Sequence, residues 1–220
     1  ATVNRQFNTI RSILVKAVRN LGWLESIPQW SKEKELQPSR GVLSPVDEKR
    51  LLMELPPHLK RVVRFALETG LRKSTITSLT MDMFNADNGI LTIPPELLLK
   101  TRKPLVIKLN REARYLVLNE EGFSEGKWGL RPLNLSRPIF TYKSREFKNP
   151  AGSAWKKAKK RARVDITFHE LRHTWATRRL EEGMPEAIVA HLGGWTSTRM
   201  LKTYSHININ NIEILKEFGY

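Results

Sequence analysis

The chain has 220 residues, 38 Lys and Arg against 22 Asp and Glu, a formal net charge of +16, and no cysteine. That length holds one ordinary domain and a small second piece, the missing cysteines exclude disulfides and thiolate metal sites, and no apolar run reaches membrane-spanning length. The cationic excess is the footprint of a polyanion, because every phosphate contact releases counterions, and it points to nucleic acid as partner.

The first stretch, 2–22, places Phe7, Ile10, Ile13, Leu14, Ala17, Val18 and Leu21 on one stripe with basic residues opposite, a helical period. Arg5 and Arg11 interrupt the apolar run that a signal peptide needs, so the expected location is the cytoplasm. Residues 28–42 carry charge, Pro and Gly without period and read as a linker. Ser44, Pro45 and Asp47 then give an N-cap, a Pro at the first helical position and an acid in the first turn. Residues 57–69 form a second amphipathic helix, closed by Gly70 and followed at once by Arg72.

Residues 90–93 and 105–109 read as short strands around a basic tip that carries Lys100, Arg102 and Lys103, a hairpin pattern. A helix at 110–119, a Gly- and Pro-containing loop at 120–138 and a strand at 139–142 follow. The helix at 150–163 bears Lys156, Lys157, Lys159, Lys160, Arg161 and Arg163, either a solvated face or a contact with the DNA backbone.

The stretch 167–206, TFHELRHTWATRRLEEGMPEAIVAHLGGWTSTRMLKTYSH, concentrates the chemistry. Thr167 and Glu170 have capping-box spacing, and His169 and Arg172, three apart, share a face near the positive end of the helix they open. Gly183 stops that helix, Pro185 starts another, and Gly193-Gly194 stops that one. Trp195 follows, and Tyr204 stands nine residues later. Cations, an aromatic and a phenol on punctuated short helices suggest an anion site with a tyrosine nucleophile.

HELRHTWAT, then LGGW, then KTYSH, with TGLR upstream, resembles the signature of the tyrosine recombinases, the phage-integrase family. The resemblance implies a fold that is mainly α with a small antiparallel β-sheet, an α+β catalytic domain over 43–206. Residues 1–27 resemble the last helix of a core-binding domain whose earlier helices precede this chain, the alternative being a first helix of the same domain. Residues 28–42 are then the linker, and 207–220 is a tail that either caps its own core or, as the resemblance implies, docks on a neighbouring protomer. The implied activity is site-specific strand exchange on double-stranded DNA through a 3′-phosphotyrosine, for integration or excision of a phage or genomic island. It needs neither cofactor nor metal and runs with four protomers on two DNA sites.

By the same resemblance Arg72 and Arg172 grip the non-bridging oxygens of the scissile phosphate, since only guanidinium offers a permanently charged planar fork. His169 shares in proton transfer from Tyr204. Lys100 protonates the departing 5′ oxygen, with Lys103 as its competitor, and the Trp195 indole N–H donates to the phosphate. His173 and His206 read as structural hydrogen-bonders. One position departs from the family: Thr75 stands where an acid usually follows the first arginine by three residues.

Three other readings share parts of this pattern. A type IB topoisomerase-like enzyme uses the same chemistry without partner exchange, and a DNA-binding relative could have lost catalysis. HELRH also fits the H-E-x-x-H helix of zinc peptidases. Against it, Ala176 and Arg179 occupy the places of the glycine and third histidine of the extended motif, and Arg172 puts a fixed cation beside the would-be metal.

Overall fold

A computed structural model of the protein describes residues 2–29, 31, 33, 41–98, 103–118, 136–143 and 145–195. The chain divides into two compact units, 1–39 and 40–220.

The first unit is built on α1 (Thr2–Arg19), whose last turn carries Lys16 and Arg19, the charge that suits a helix C-terminus. Asn4 binds the returning chain with both ends of its amide: Nδ2 donates to the Glu33 carbonyl (2.8 Å) and Oδ1 accepts from the Glu33 N–H (2.9 Å).

The second unit opens with α2 (Pro45–Glu54) on the expected cap, where the Ser44 hydroxyl accepts from the Asp47 N–H at 3.1 Å. Next comes α3 (Pro57–Thr69), which buries Leu59, Val62, Val63, Phe65, Ala66 and Leu67 and ends on Gly70 in the left-handed region (φ 63°). It is the central helix, packed against both α5 (Arg111–Leu118) and α7 (Glu170–Glu181). Arg61 of α3 is buried, yet it is satisfied: its guanidinium donates to the Leu116 and Val117 carbonyls at 2.6 and 3.1 Å, capping the end of α5.

A short helix, α4 (Lys73–Thr77), follows Arg72 directly; the sequence gives no periodic signal for so few residues. Strands β1 (Phe84–Asn85), β2 (Ile90–Ile93) and β3 (Leu105–Lys108) form an antiparallel sheet in that order. Leu91 pairs with Ile107 and Ile93 with Leu105, and these four side chains face the core. The β1–β2 turn was not expected. Asn85 makes it by accepting from the Asp87 and Asn88 N–H groups at 3.0 and 3.2 Å, with Gly89 at φ 71°. A second hairpin pairs β4 (Thr141–Tyr142) with β5 (Arg145–Glu146).

Three helices complete the unit: α6 (Ser153–Ala162), α7 and α8 (Glu186–Gly193). Trp155, Ala158 and Ala162 form the buried stripe of α6, which packs on α2. The architecture is mainly helical with small antiparallel sheets, as the resemblance implies. Among the described residues no helix is long and apolar enough to cross a membrane.

The start of α7 is a reciprocal capping box. Thr167 N–H donates to Glu170 Oε2 at 2.6 Å, and Glu170 N–H reaches the Thr167 hydroxyl at 3.4 Å. Glu170 Oε1 also accepts from the Gly41 N–H at 3.0 Å. Partial burial pushes the Glu170 carboxyl up, but the Thr167 and Gly41 donors and the neighbouring His173 outweigh it and hold it below the ordinary glutamate value. A depressed carboxyl contributes stability above its unfolded pKa and loses it as pH falls through the folded pKa. Glu170→Gln is therefore expected to lower the urea midpoint at neutral pH and to converge on wild type as the pH falls below the glutamate range. A constant difference at all pH values contradicts this.

Candidate active site

The expected anion-site residues arrive from three places in the chain. Arg72 stands at the N-cap of α4, Arg172 in the first turn of α7, and Trp195 just beyond α8. They meet at the turn made by Gly193 and Gly194. Arg72, half-buried, donates from Nη1 to the Gly194 carbonyl at 3.1 Å. Arg172 is 3% exposed and donates from Nη1 to the carbonyls of Gly70 (2.7 Å) and Gly193. Its Cζ lies 3.5 Å from the centroid of the Trp195 ring, a close cation–π contact. Two guanidiniums on adjacent carbonyls of one turn concentrate positive charge there, a setting for a doubly contacted anion.

Backbone geometry explains the glycines of LGGW. Gly194 caps α8 in the left-handed region (φ 67°) and lets the Trp195 N–H return to the Ala190 carbonyl at 2.8 Å. A Cβ on Gly193 would lie 2.0 Å from Trp195 Cζ3, so only glycine allows the indole to fold back over the turn. Trp195 is also stacked on Trp175 of α7, with centroids 6.2 Å apart and planes 17° apart. These rings belong to a small apolar cluster with Ala176, Val189 and Ala190 that joins α7 to α8.

His169 sits at the N-cap of α7, exposed, one turn before Arg172, with its ring edge-on to His173 at 4.9 Å. The basic hairpin reaches the same turn. A Cβ on Gly194 would stand 3.1 Å from Leu105 Cδ2, and His191 Nε2 lies 3.2 Å from the Val106 carbonyl. Lys103 is exposed just before β3. Lys100 and Tyr204, expected as general acid and nucleophile, lie outside the described residues, as does the tail 207–220.

The expected DNA-binding cations divide into two groups. Lys156, Lys157 and Lys160 are exposed on α6. Lys159 instead pairs with Asp165 at 3.1 Å, and Arg161 binds Glu54 through its carboxylate (2.5 Å) and its carbonyl (2.6 Å), stapling α6 to the end of α2. Composition alone could not separate them, since both acids are remote in spacing from a helical pair. Glu170, the candidate base of the zinc-peptidase reading, is engaged at the helix cap. Among the described residues, no three His, Cys, Asp or Glu side chains are grouped to hold a metal ion.

Thr75, in the place of the usual acid, is 2% exposed and donates its hydroxyl to the Leu97 carbonyl at 3.3 Å. Leu97 closes a single 3-10 turn at Pro95–Leu97, between β2 and the basic tip. An acid here would bring a carboxylate against a carbonyl oxygen in a dry pocket, two acceptors without a proton. Thr75→Asp is expected to destabilise the protein by roughly 2 kcal/mol or more, against about 1 kcal/mol for Thr75→Val, which loses only the hydrogen bond. Urea denaturation at neutral pH measures both, and an Asp variant as stable as wild type contradicts this account of the site.

The sequence matches the phage integrase family over residues 42–211. It is 30% identical to the integrase of Salmonella phage P22 over 220 residues, covering 96% of this chain and 55% of that protein. It is 24% identical to the tyrosine recombinase XerA of Thermococcus kodakarensis, covering 97% of this chain and 75% of that one. The fold is similar to that of a lambda integrase dimer bound to a COC′ core site, with a TM-score of 0.57 and 18% identity over 77% of this chain and 49% of that one. The chain thus spans about half the length of the P22 protein. Its matched region takes in the arginines, the LGGW turn and the KTYSH segment, and the chain belongs to the phage integrase family.

Proposed function

We propose that the protein of which this chain is the catalytic part is a site-specific DNA recombinase that cuts and rejoins double-stranded DNA through a 3′-phosphotyrosine at Tyr204. The observation that carries this reading is the convergence of Arg72 and Arg172 on the Gly193–Gly194 turn, beside Trp195. Fixed cations aimed at one phosphodiester stabilise the charge that grows on its non-bridging oxygens in the transition state. Tyr204 attacks phosphorus, its proton passing by way of His169, and the 3′-phosphate becomes esterified to the phenol while the 5′ oxygen leaves with a proton from Lys100. Because the phosphotyrosine keeps the ester energy, a 5′-hydroxyl can re-attack and expel the phenol.

The net charge of +16 supports DNA as substrate, with Lys103 and the exposed Lys156, Lys157 and Lys160 as backbone contacts. Lys159 and Arg161, held in ion pairs, contribute to the field more than to direct contact. In this reading α1 ends a core-binding domain, residues 28–42 link it to the catalytic domain, and 207–220 docks on a neighbour. Four protomers on two DNA sites then carry out integration or excision in the cytoplasm.

The test is a nicked DNA substrate from the flanks of the encoding element, one that loses its 5′-hydroxyl fragment on cleavage, incubated in EDTA. Wild type is expected to give a denaturation-resistant protein–DNA adduct, and Tyr204→Phe none. Tight DNA binding without an adduct on any flank overturns the reading and leaves a binding module. Relaxation of supercoiled DNA by a monomer, without exchange of partners, favours topoisomerase-like activity instead.

A further inference from the structure

The Arg172 guanidinium is held on its edge by two backbone carbonyls, and both belong to glycines covered by an indole. Gly193, whose carbonyl accepts from Arg172 Nη1, lies under Trp195; a Cβ there would meet Cζ3 at 2.0 Å. Gly70, whose carbonyl accepts from the same nitrogen at 2.7 Å, lies under Trp175; a Cβ there would meet Cε3 at 2.1 Å. The two indoles stack on each other, and Trp195 also lies over the guanidinium. Trp175 is 2% exposed, and its Nε1–H donates to the Glu68 carbonyl at 3.0 Å, which fixes the ring against the end of α3.

We propose that Trp175 is a positioning residue for the anion site, setting Arg172 through the Gly70 carbonyl on one side and the Trp195 ring on the other. The inference rests on the strand-exchange reading given above. Trp175 is remote from the chemistry in role: it touches the backbone and the indole that hold the arginine. A guanidinium gripped by two carbonyls and one ring face has a single orientation, and each of these contacts depends on where an indole lies. Removing the Trp175 ring opens a cavity over Gly70 and releases the stacked face of Trp195. Gly70 and Trp195 then relax together, and the guanidinium moves with them.

The experiment uses Trp175→Leu and Trp175→Phe, with the rate of adduct formation measured on two nicked substrates. One carries an ordinary scissile phosphodiester; the other carries a methylphosphonate, in which a methyl replaces a non-bridging oxygen and the charge is gone. Arg172→Lys calibrates how much of the rate depends on the guanidinium for each substrate. Trp175→Leu is expected to lose about 10- to 100-fold on the phosphodiester, the scale of an ångström-sized misplacement, with DNA affinity within about twofold of wild type. On the methylphosphonate the loss shrinks to about threefold or less, because an uncharged phosphoryl group no longer depends on a well-placed cation. Trp175→Phe, which keeps a ring over Gly70, recovers most of the phosphodiester rate and guards against a simple folding defect.

Equal losses on the two substrates in a folded Trp175→Leu variant overturn the proposal, as does a loss fully matched by weaker DNA binding. A wild type that gives no adduct on the phosphodiester overturns the recombinase reading itself, and this inference with it.

Discussion

Arg172→Lys is expected to slow adduct formation by roughly 10²- to 10³-fold, the loss that follows removal of one pre-set donor to a transition-state oxyanion. DNA affinity falls much less, by under about tenfold, because one contact among many phosphate contacts changes. The reason lies in the pocket. Arg172 is 3% exposed, binds the Gly70 and Gly193 carbonyls with one nitrogen and presents its plane to the Trp195 ring. A lysine keeps the charge but has no plane to stack and no fork to divide between carbonyls and phosphate. Arg72, half-buried and bound to one carbonyl, serves as the comparison: Arg72→Lys costs less stability while still slowing cleavage. Single-turnover rates with anisotropy titrations separate the two quantities. An Arg172→Lys enzyme that cleaves within about fivefold of wild type contradicts the role given to the guanidinium.

Gly70→Ala carries the second large effect. Its backbone sits at φ 63°, where a side chain costs about 1 kcal/mol, and its Cβ would stand 2.1 Å from the Trp175 ring. Overpacking of this kind costs a further 1–3 kcal/mol or so, giving a total of roughly 2–4 kcal/mol out of a typical domain stability of about 5–15. Gly183 isolates the backbone part, since it has φ 81° but no atom within 4 Å of a Cβ. Gly183→Ala is therefore expected to cost about 1 kcal/mol, and the excess at Gly70 measures the indole contact. That excess should shrink in Gly70→Ala/Trp175→Leu, where the ring has been removed. Equal midpoints for the two single glycine variants in urea argue against the contact.

Local signals in the sequence translated well into structure. The Ser44 cap, the Gly70 stop and the Thr167–Glu170 box each rest on interactions within a few residues, so spacing alone identifies them, while the β2–β3 hairpin showed through two short apolar runs around a basic tip. The short α4 and the Asn85 turn escaped because neither is long enough to show a period. Tertiary partners escaped for a different reason. Nothing in the spacing of Trp175 and Trp195 says that their rings stack, or that Arg161 reaches Glu54 more than a hundred residues away. The resemblance named Arg72, Arg172 and Trp195 as members of one site, and the fold brings these three to one turn. What the sequence could not convey is the second use of the glycines, whose missing side chains make room for the rings and whose carbonyls hold the arginine.

The most direct test of the account identifies the residue that carries the DNA. The chain has four tyrosines, Tyr115, Tyr142, Tyr204 and Tyr220, so a trapped adduct digested to peptides can be assigned by mass spectrometry. The expected result is a nucleotide linked through its 3′-phosphate to the peptide containing Tyr204, formed in EDTA. A link to any other residue, or through a 5′-phosphate, contradicts the account.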